Sequence, residues 1–357
     1  MNKILALHLP QYYETEENNM WWGKGFTDWV NVRKAEPLYD GHVQPIVPKD
    51  NYYYDMSDVS TLMWQIKIAK EYGIYGFCYY HYWFGGKLIL EKPCEILLNN
   101  REIDTNYCFC WANESWIRTW KTDSHNVLVK QEYGERREWI QHIEYLSKFF
   151  ADPRYIKMDS HPVLFIYCIS DIPKWNEMLC VWNEYLATKG ISELYIVEFI
   201  TANNSGKEGN ESNAICEFQP HAVARYNISL VHLFRRYIRK KMGKTDFLNY
   251  DYLWKCLLKN KRNYGDKYII KSAFVSFDNT ARKLEKALIT KGASPHKFEH
   301  YLGKLIELDN RKYVEDFIVI NAWNEWAEGA VLEPTEHFGY GYLEAIRNQI
   351  QKRDEYT

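Results

Sequence analysis

The sequence predicts a (β/α)8 TIM barrel with long loops at its C-terminal face, a single domain over residues 1–357. Three observations predict it. Eight apolar, β-branched or aromatic runs have strand length. Helical patterns lie between them. Polar and aromatic residues crowd the segment that follows nearly every run, where such barrels build their sites.

The runs occupy 4–9, 74–80, 107–111, 163–168, 194–200, 214–218, 269–277 and 317–323. Most are continuously apolar rather than alternating, as strands covered on both faces are. Residues 58–73 begin at Asp58, a good helix cap, place Leu62, Ile66 and Ala69 on one face, and end at Gly73. Residues 136–150 put Trp139, Ile143, Leu146 and Phe150 at helical spacing, and 172–189, 298–308 and 342–351 behave alike. Strand alternating with helix implies parallel βαβ units, and eight of them favour a closed barrel. An open doubly wound sheet is the alternative, but no Gly-x-Gly-x-x-Gly follows the first run. The long segments 11–57, 112–133, 201–213 and 219–267 are expected at the C-terminal face.

Composition excludes several classes. A net charge of −2 gives no basis for nucleic-acid binding. No apolar run reaches about 20 residues, so no membrane-spanning helix is expected. The N-terminal residues read as a first strand rather than a cleavable leader, which places the protein in the cytoplasm, soluble or peripheral to the inner membrane. The 8 cysteines contain no Cys-x-x-Cys pair and read as buried free thiols. Cys108 and Cys110 share a strand face but lack zinc-ligand spacing, so neither a metal nor another cofactor is expected. Aromatic content is high, at 17% with 14 Trp and 29 Tyr, and suits either an aromatic core or a site that stacks on sugar faces.

Glu325 and Glu328 are the sharpest candidates for catalysis. They follow the last strand, and a spacing of three in a turn puts their Cβ atoms about 5–6 Å apart. Carboxyls that close suit retaining glycoside chemistry and drive each other's pKa values apart. The competing structural reading is an ion pair with Arg282 or a helix cap. Candidate substrate-binding residues are His8, Gln11 and Tyr12 after the first strand, with Trp22 in the loop beyond. His81, Tyr82 and Trp83 end the second strand, and Trp111, Asn113, Glu114 and Trp116 follow the third. Glu217, then Asp278, Asn279 and Arg282, and finally Asn321, Trp323, Asn324 and Trp326 complete the set. Each has a structural alternative: an ion pair with Arg118 for Glu114, a satisfied core histidine for His8 and His81, loop anchoring for Trp21, Trp22 and Trp29. The basic stretch Arg235–Lys244 reads as a solvated helix face, or as a surface for an anionic membrane or a diphosphate carrier. A lipid-linked glycan would supply both.

The segments HLPQYY (8–13), WWGKGFTDWVNV (21–32), EYGIYGFCYYHYWF (71–84), CWANESW (110–116), FDNTAR (277–282) and NAWNEWAEGAVLEP (321–334) resemble the WbsX family of bacterial surface-polysaccharide proteins, related to glycoside hydrolase family 99. The resemblance runs from residue 3 to about 345. It implies a (β/α)8 barrel and, through the Glu-Trp-x-Glu motif, retaining cleavage of α-mannoside-like bonds. In that scheme Glu325 deprotonates the sugar 2-hydroxyl and Glu328 protonates the leaving oxygen. Tyr13, Ser115, Phe277 and Ala281 stand where the family commonly has His, Asn, Trp and Pro, departures that bear on sugar specificity. The implied partner is an oligosaccharide or lipid-linked glycan of O-antigen or capsule. WbsX proteins are usually labelled glycosyltransferases, so a transferase of lipopolysaccharide or capsule assembly is the alternative, although no Asp-x-Asp occurs. A non-catalytic glycan-binding barrel is the third reading.

Overall fold

The structure, a computed structural model, describes residues 3–118, 126–206, 211–308 and 313–354. Eight parallel strands form a closed barrel. They are β1 (Lys3–His8), β2 (Ile74–Phe84), β3 (Asn106–Trp111), β4 (His161–Ile166), β5 (Tyr195–Ile200), β6 (Ala214–Glu217), β7 (Tyr268–Phe274) and β8 (Tyr313–Asn321). Each pairs in parallel with its sequence neighbour, and β8 returns to β1 with Phe317 opposite Lys3. Closure leaves no exposed edge. It also explains the continuous apolar runs, since each strand is covered by the barrel interior and by a helix.

The helices follow the predicted faces. α1 (Val59–Glu71) starts at Asp58, whose carboxylate accepts the Ser60 N–H, and buries Leu62, Ile66 and Ala69. α2 (Lys92–Asn99) joins β2 to β3. α3 (Arg136–Phe150) begins in a capping box of Glu135 and Glu138 and buries Trp139, Ile143, Leu146 and Phe150. α4 (Trp175–Thr188) leads to β5. α5 (His221–Tyr226), α6 (Leu230–Lys241) and α7 (Tyr250–Leu258) lie between β6 and β7. α8 (Pro295–Ile306), capped by Ser294 with proline in its first turn, precedes β8, and α9 (Gly341–Asp354) packs on α8.

Three expectations need correction. The alternation fails once: no helix joins β5 to β6 among the described residues. Ile200, Ile215 and Tyr264, with Tyr226 and Ile269 against them, cover that stretch instead. The segment 219–267, expected as a long loop, holds three helices and a short strand, Asp246–Asn249, which pairs with Leu288–Lys291. Six of the eight free cysteines are buried; Cys180 is exposed and Cys256 half-buried, contrary to the uniform burial expected. No helix among the described residues is long and apolar enough to cross a membrane.

Candidate active site

Beyond β8 the chain forms a small hairpin. Asn324–Glu325 pairs antiparallel with Ala330–Val331, and a single 3-10 turn, Trp326–Glu328, connects them. Gly329 closes the turn at φ +59°, and a Cβ there would stand 3.0 Å from both Cβ and O of Asp278. Glycine is required on both counts.

The hairpin is fastened on two sides. The Asn324 side chain accepts the Leu9 N–H at 2.8 Å and donates to the Leu9 carbonyl at 3.0 Å, tying it to the end of β1. Tyr12 donates its hydroxyl to the Asn324 carbonyl and accepts the Trp326 N–H. Beneath, the buried Glu333 accepts from Tyr54, Gln65 and the Trp326 indole, each at 2.7 Å. Burial pushes the Glu333 carboxyl up to about 7 against those hydrogen bonds. On the β7 side the Asp278 N–H donates to the Glu328 carbonyl at 2.6 Å, and the Ser276 hydroxyl donates to the Gly329 carbonyl. Asp278 itself is held by His42 at 2.6 Å, Gln44 at 2.9 Å and Thr280. Burial would raise its carboxyl, but those contacts hold it below the usual range.

So clamped, Glu325 and Glu328 meet one guanidinium. Arg282 places Nη1 2.7 Å from Glu328 Oε1 and Nη2 3.5 Å from Glu325 Oε2. Nη2 also lies 2.5 Å from Asp28 Oδ2. Three carboxyls thus share one cation. Glu325 Oε2 has no hydrogen-bond donor among the described residues, and neither does Arg282 Nε have an acceptor. Burial first, and then the neighbouring Glu328, push Glu325 up to about 8, with Arg282 opposing. Glu328 is the more exposed of the two, at 24% against 9% for their side chains.

The period of two sorts the strand-end candidates. On β2, Tyr80 and Tyr82 lie within electrostatic reach of Glu325. His81 and Trp83 point the other way. The Nε2 atoms of His81 and His142 are 2.9 Å apart, and Trp83 stacks on His142 at 4.6 Å. Burial pushes His81 down to about 3. Trp116 meets Tyr82 edge-on at 5.1 Å, with Trp21 at 5.7 Å behind it. Tyr167 lies within reach of both Glu114 and Glu328. Glu114 is half-buried, receives Asn203 at 3.4 Å, and is raised by burial. The Arg118 side chain, its expected alternative partner, lies outside the described residues.

Burial removes many candidates from sugar contact. His8 is fully buried, hydrogen-bonded to Gln65, and pushed down to about 3 by burial. Tyr12, Asn324 and Trp326 are the clamps just described. Trp111 is buried and donates to the Trp83 carbonyl, while Asn113 ties itself to the Cys168 backbone. Glu217 is held by Asn260 at 2.6 Å and Tyr264 at 2.5 Å. Asn321 donates to the Gln219 carbonyl, and the fully buried Trp323 packs on Phe77. Asp278 and Asn279 position the β7 loop, Asn279 accepting the Leu288 N–H at 2.8 Å. Trp29 anchors its loop against Tyr12 and Trp326. Trp22 stacks on Phe26 and, like Gln11, keeps partial exposure.

Asp28, Tyr80, Tyr167 and Glu333 were not singled out from the sequence. Tyr80 was available from the alternation, because an inward Tyr82 implies an inward Tyr80. An acid inside the apolar Ala330–Pro334 stretch signalled Glu333. Nothing local signalled Asp28, which meets Arg282 only in the fold.

Comparison with known proteins adds to this geometry. A family model described as Glycosyltransferase WbsX matches residues 4–346. Proteins called uncharacterized protein WxcX, from two strains of Xanthomonas campestris pv. campestris, are 31% identical over 353 residues, 98% of this chain and 50% of theirs. The chain spans about half the length of these curated relatives. The family 99 endo-alpha-mannosidase of Bacteroides thetaiotaomicron superposes with a TM-score of 0.59 at 12% identity, over 99% of this chain and 97% of that one. A protein described as glycoside hydrolase-like gives 0.59 at 12%, over 98% and 93%. At such identities the likeness shows the barrel fold.

Proposed function

The chain belongs to the WbsX glycosyltransferase family, and on that premise we propose that it acts on glycosidic bonds of a bacterial surface polysaccharide or its precursor, by glycosidase or transglycosidase chemistry. The substrate is an oligosaccharide, free or lipid-linked. One observation carries the reading: Glu325 and Glu328 stand on one clamped hairpin, share Arg282, and have unlike surroundings.

The reaction needs a base and an acid with one proton between them. Glu325 takes the proton of a sugar 2-hydroxyl, and the 2-oxygen attacks the anomeric carbon. Glu328 gives a proton to the departing oxygen as the glycosidic bond breaks. Water then adds at the anomeric carbon as that carbon's new bond to the 2-oxygen breaks, returning a proton to Glu328, while Glu325 returns its proton to the 2-oxygen. Two inversions give retention. The empty site keeps the pair's proton on Glu325. The reacting form has it on Glu328, with Arg282 drawn toward Asp28. A substrate hydroxyl against the donorless Glu325 Oε2 favours that redistribution, since it supplies the hydrogen bond a carboxylate needs there. Tyr80, Tyr82 and Trp116 offer the wall on which a sugar packs.

The family's description favours a second reading, a glycosyltransferase. Mass spectrometry of one mixture separates the two: the protein, common nucleotide sugars, and mannose-containing O-antigen or capsule oligosaccharides. Shortened or rearranged oligosaccharide without nucleotide release is the expected result. Free nucleotide with a lengthened chain overturns it in favour of the transferase. Binding without turnover of either kind leaves a glycan-binding barrel.

A further inference from the structure

Helix α6 is built inside out. Leu233 is the one apolar side chain of the helix that packs on the core, and beside it Arg236 and Arg239 turn toward the protein: Arg236 donates to Asp246 at 2.6 Å and to the Ala224 carbonyl, and Arg239 donates to the Thr245 carbonyl at 2.6 Å. His232 stacks on Tyr252 at 4.4 Å. The outward face carries Leu230, Val231, Phe234, Tyr237, Ile238 and Met242, exposed by 82, 60, 63, 55, 39 and 58%. No residue of the helix is buried. A surface helix of a globular domain normally does the reverse. The exposed cations Arg235 and Lys240 flank this stripe, Lys241 stands at its C-terminal end over the Tyr237 ring, Lys244 follows the helix, and residues 229–244 contain no acid. A solvated face explains the charge but not the apolar row.

We propose that α6 is an interfacial helix that docks this protein on the surface of an anionic lipid bilayer. The apolar row enters the headgroup–acyl boundary while the flanking lysines and arginines meet lipid phosphates. Charge decides against a second copy packed α6 on α6. That arrangement would place each cation row beside its twin, with no acid on the helix to neutralise it.

The helix adjoins the mouth. Asp246, which receives Arg236, opens the strand that pairs with Leu288–Lys291. Leu288 is held by Asn279, three residues before Arg282. Lys283 lies within reach of both Lys240 on α6 and Glu328. A docked α6 therefore holds the rim of the mouth at the bilayer, where a glycan on a lipid carrier would present its sugars. The docking stands on α6 alone; only the orientation toward a glycan rests on the proposed reaction.

Flotation of the full chain tests it, with vesicles of phosphatidylcholine and of phosphatidylcholine containing phosphatidylglycerol. Two double variants accompany it, Leu230→Ser with Phe234→Ser and Arg235→Glu with Lys241→Glu, all at exposed positions outside the site. The expected result is flotation with anionic vesicles only, weakened by salt, and reduced roughly tenfold or more by either variant. Turnover of a soluble oligosaccharide should be unchanged in both, so loss of docking and failure of the glycosidic reading are separable. No flotation with anionic vesicles overturns the proposal. So does flotation untouched by the serine variant, which leaves the apolar row without a part in the binding. A dimer in light scattering that the serine variant makes monomeric, without vesicle binding, assigns the face to a second copy.

Discussion

Two half-buried arginines, at opposite ends of the barrel, are used in opposite ways. Arg154, beside the entry to β3, donates to Asp152 through Nε and Nη2 and to the carbonyls of Leu97, Asn100 and Ile103. One guanidinium faces one carboxylate, and the Tyr107 hydroxyl completes the set. Burial would raise Asp152, but Arg154 holds it below the usual range. At the mouth, Arg282 faces three carboxyls, and among the described residues its Nε lacks an acceptor and Glu325 Oε2 lacks a donor. A balanced cluster serves the fold. An unbalanced one, costly to keep, marks the place where a ligand completes the hydrogen bonding.

The contrast can be broken by mutation. The largest expected effect is on turnover: Glu328→Gln should cut it about 10²–10⁴-fold with natural leaving groups while the melting temperature hardly moves. Full activity would remove Glu328 as the acid. Arg154→Met should do the converse, costing about 3–5 kcal/mol in a denaturant titration, because it strands a buried carboxylate and three carbonyls. A loss under about 1 kcal/mol would mean the lower cluster is not the clamp described. Gly329→Ala touches both properties. Its φ of +59° and the 3.0 Å approach to Asp278 predict about 1–3 kcal/mol of destabilisation and a displaced Glu328, read as lower kcat.

The smallest effect sharpens the comparison through pH. Glu325 and Glu333 are raised, to about 8 and about 7, so the folded protein keeps their protons after the unfolded chain has released them. Their stabilisation is full below the ordinary carboxylate value of 4.5 and is lost as pH rises through about 7 and about 8. Asp152 is depressed, so its contribution is lost in acid instead. Melting temperature should therefore decline as pH rises toward about 8, and Glu325→Gln should make that decline shallower, the Glu333 share remaining, while leaving the acid limb alone. Turnover should also fall as pH passes about 8, where the pair gives up its proton.

The barrel was legible because its strands are buried on both faces and read as apolar runs without ambiguity. The β5–β6 connection was legible as a long loop, but its cover was not: Tyr264, 49 positions beyond Ile215, packs with Ile200 and Ile215. The last strand's hairpin was legible as an acidic cluster after an apolar run. Its neighbours were legible only in part. Seven polar strand ends read as one converging mouth, yet His81 and Trp83 cannot share a face with Tyr82 on an extended strand, and they pack outward on α3. The Arg282–Asp28 pair spans 254 positions and carries no local pattern, so only the fold reveals that the shared cation meets a third carboxyl. The basic stretch was legible as charge, but which side of α6 faces outward was not.

Glu325 is held out of balance at the mouth. Its carboxyl carbon, followed by ¹³C NMR across a pH titration and assigned by its absence in Glu325→Gln, reports this without a substrate. The account predicts a midpoint near 8, falling when a ligand donates to Oε2. A midpoint in the ordinary carboxylate range would contradict it, and the hairpin would then be one more satisfied ionic cluster like that around Arg154.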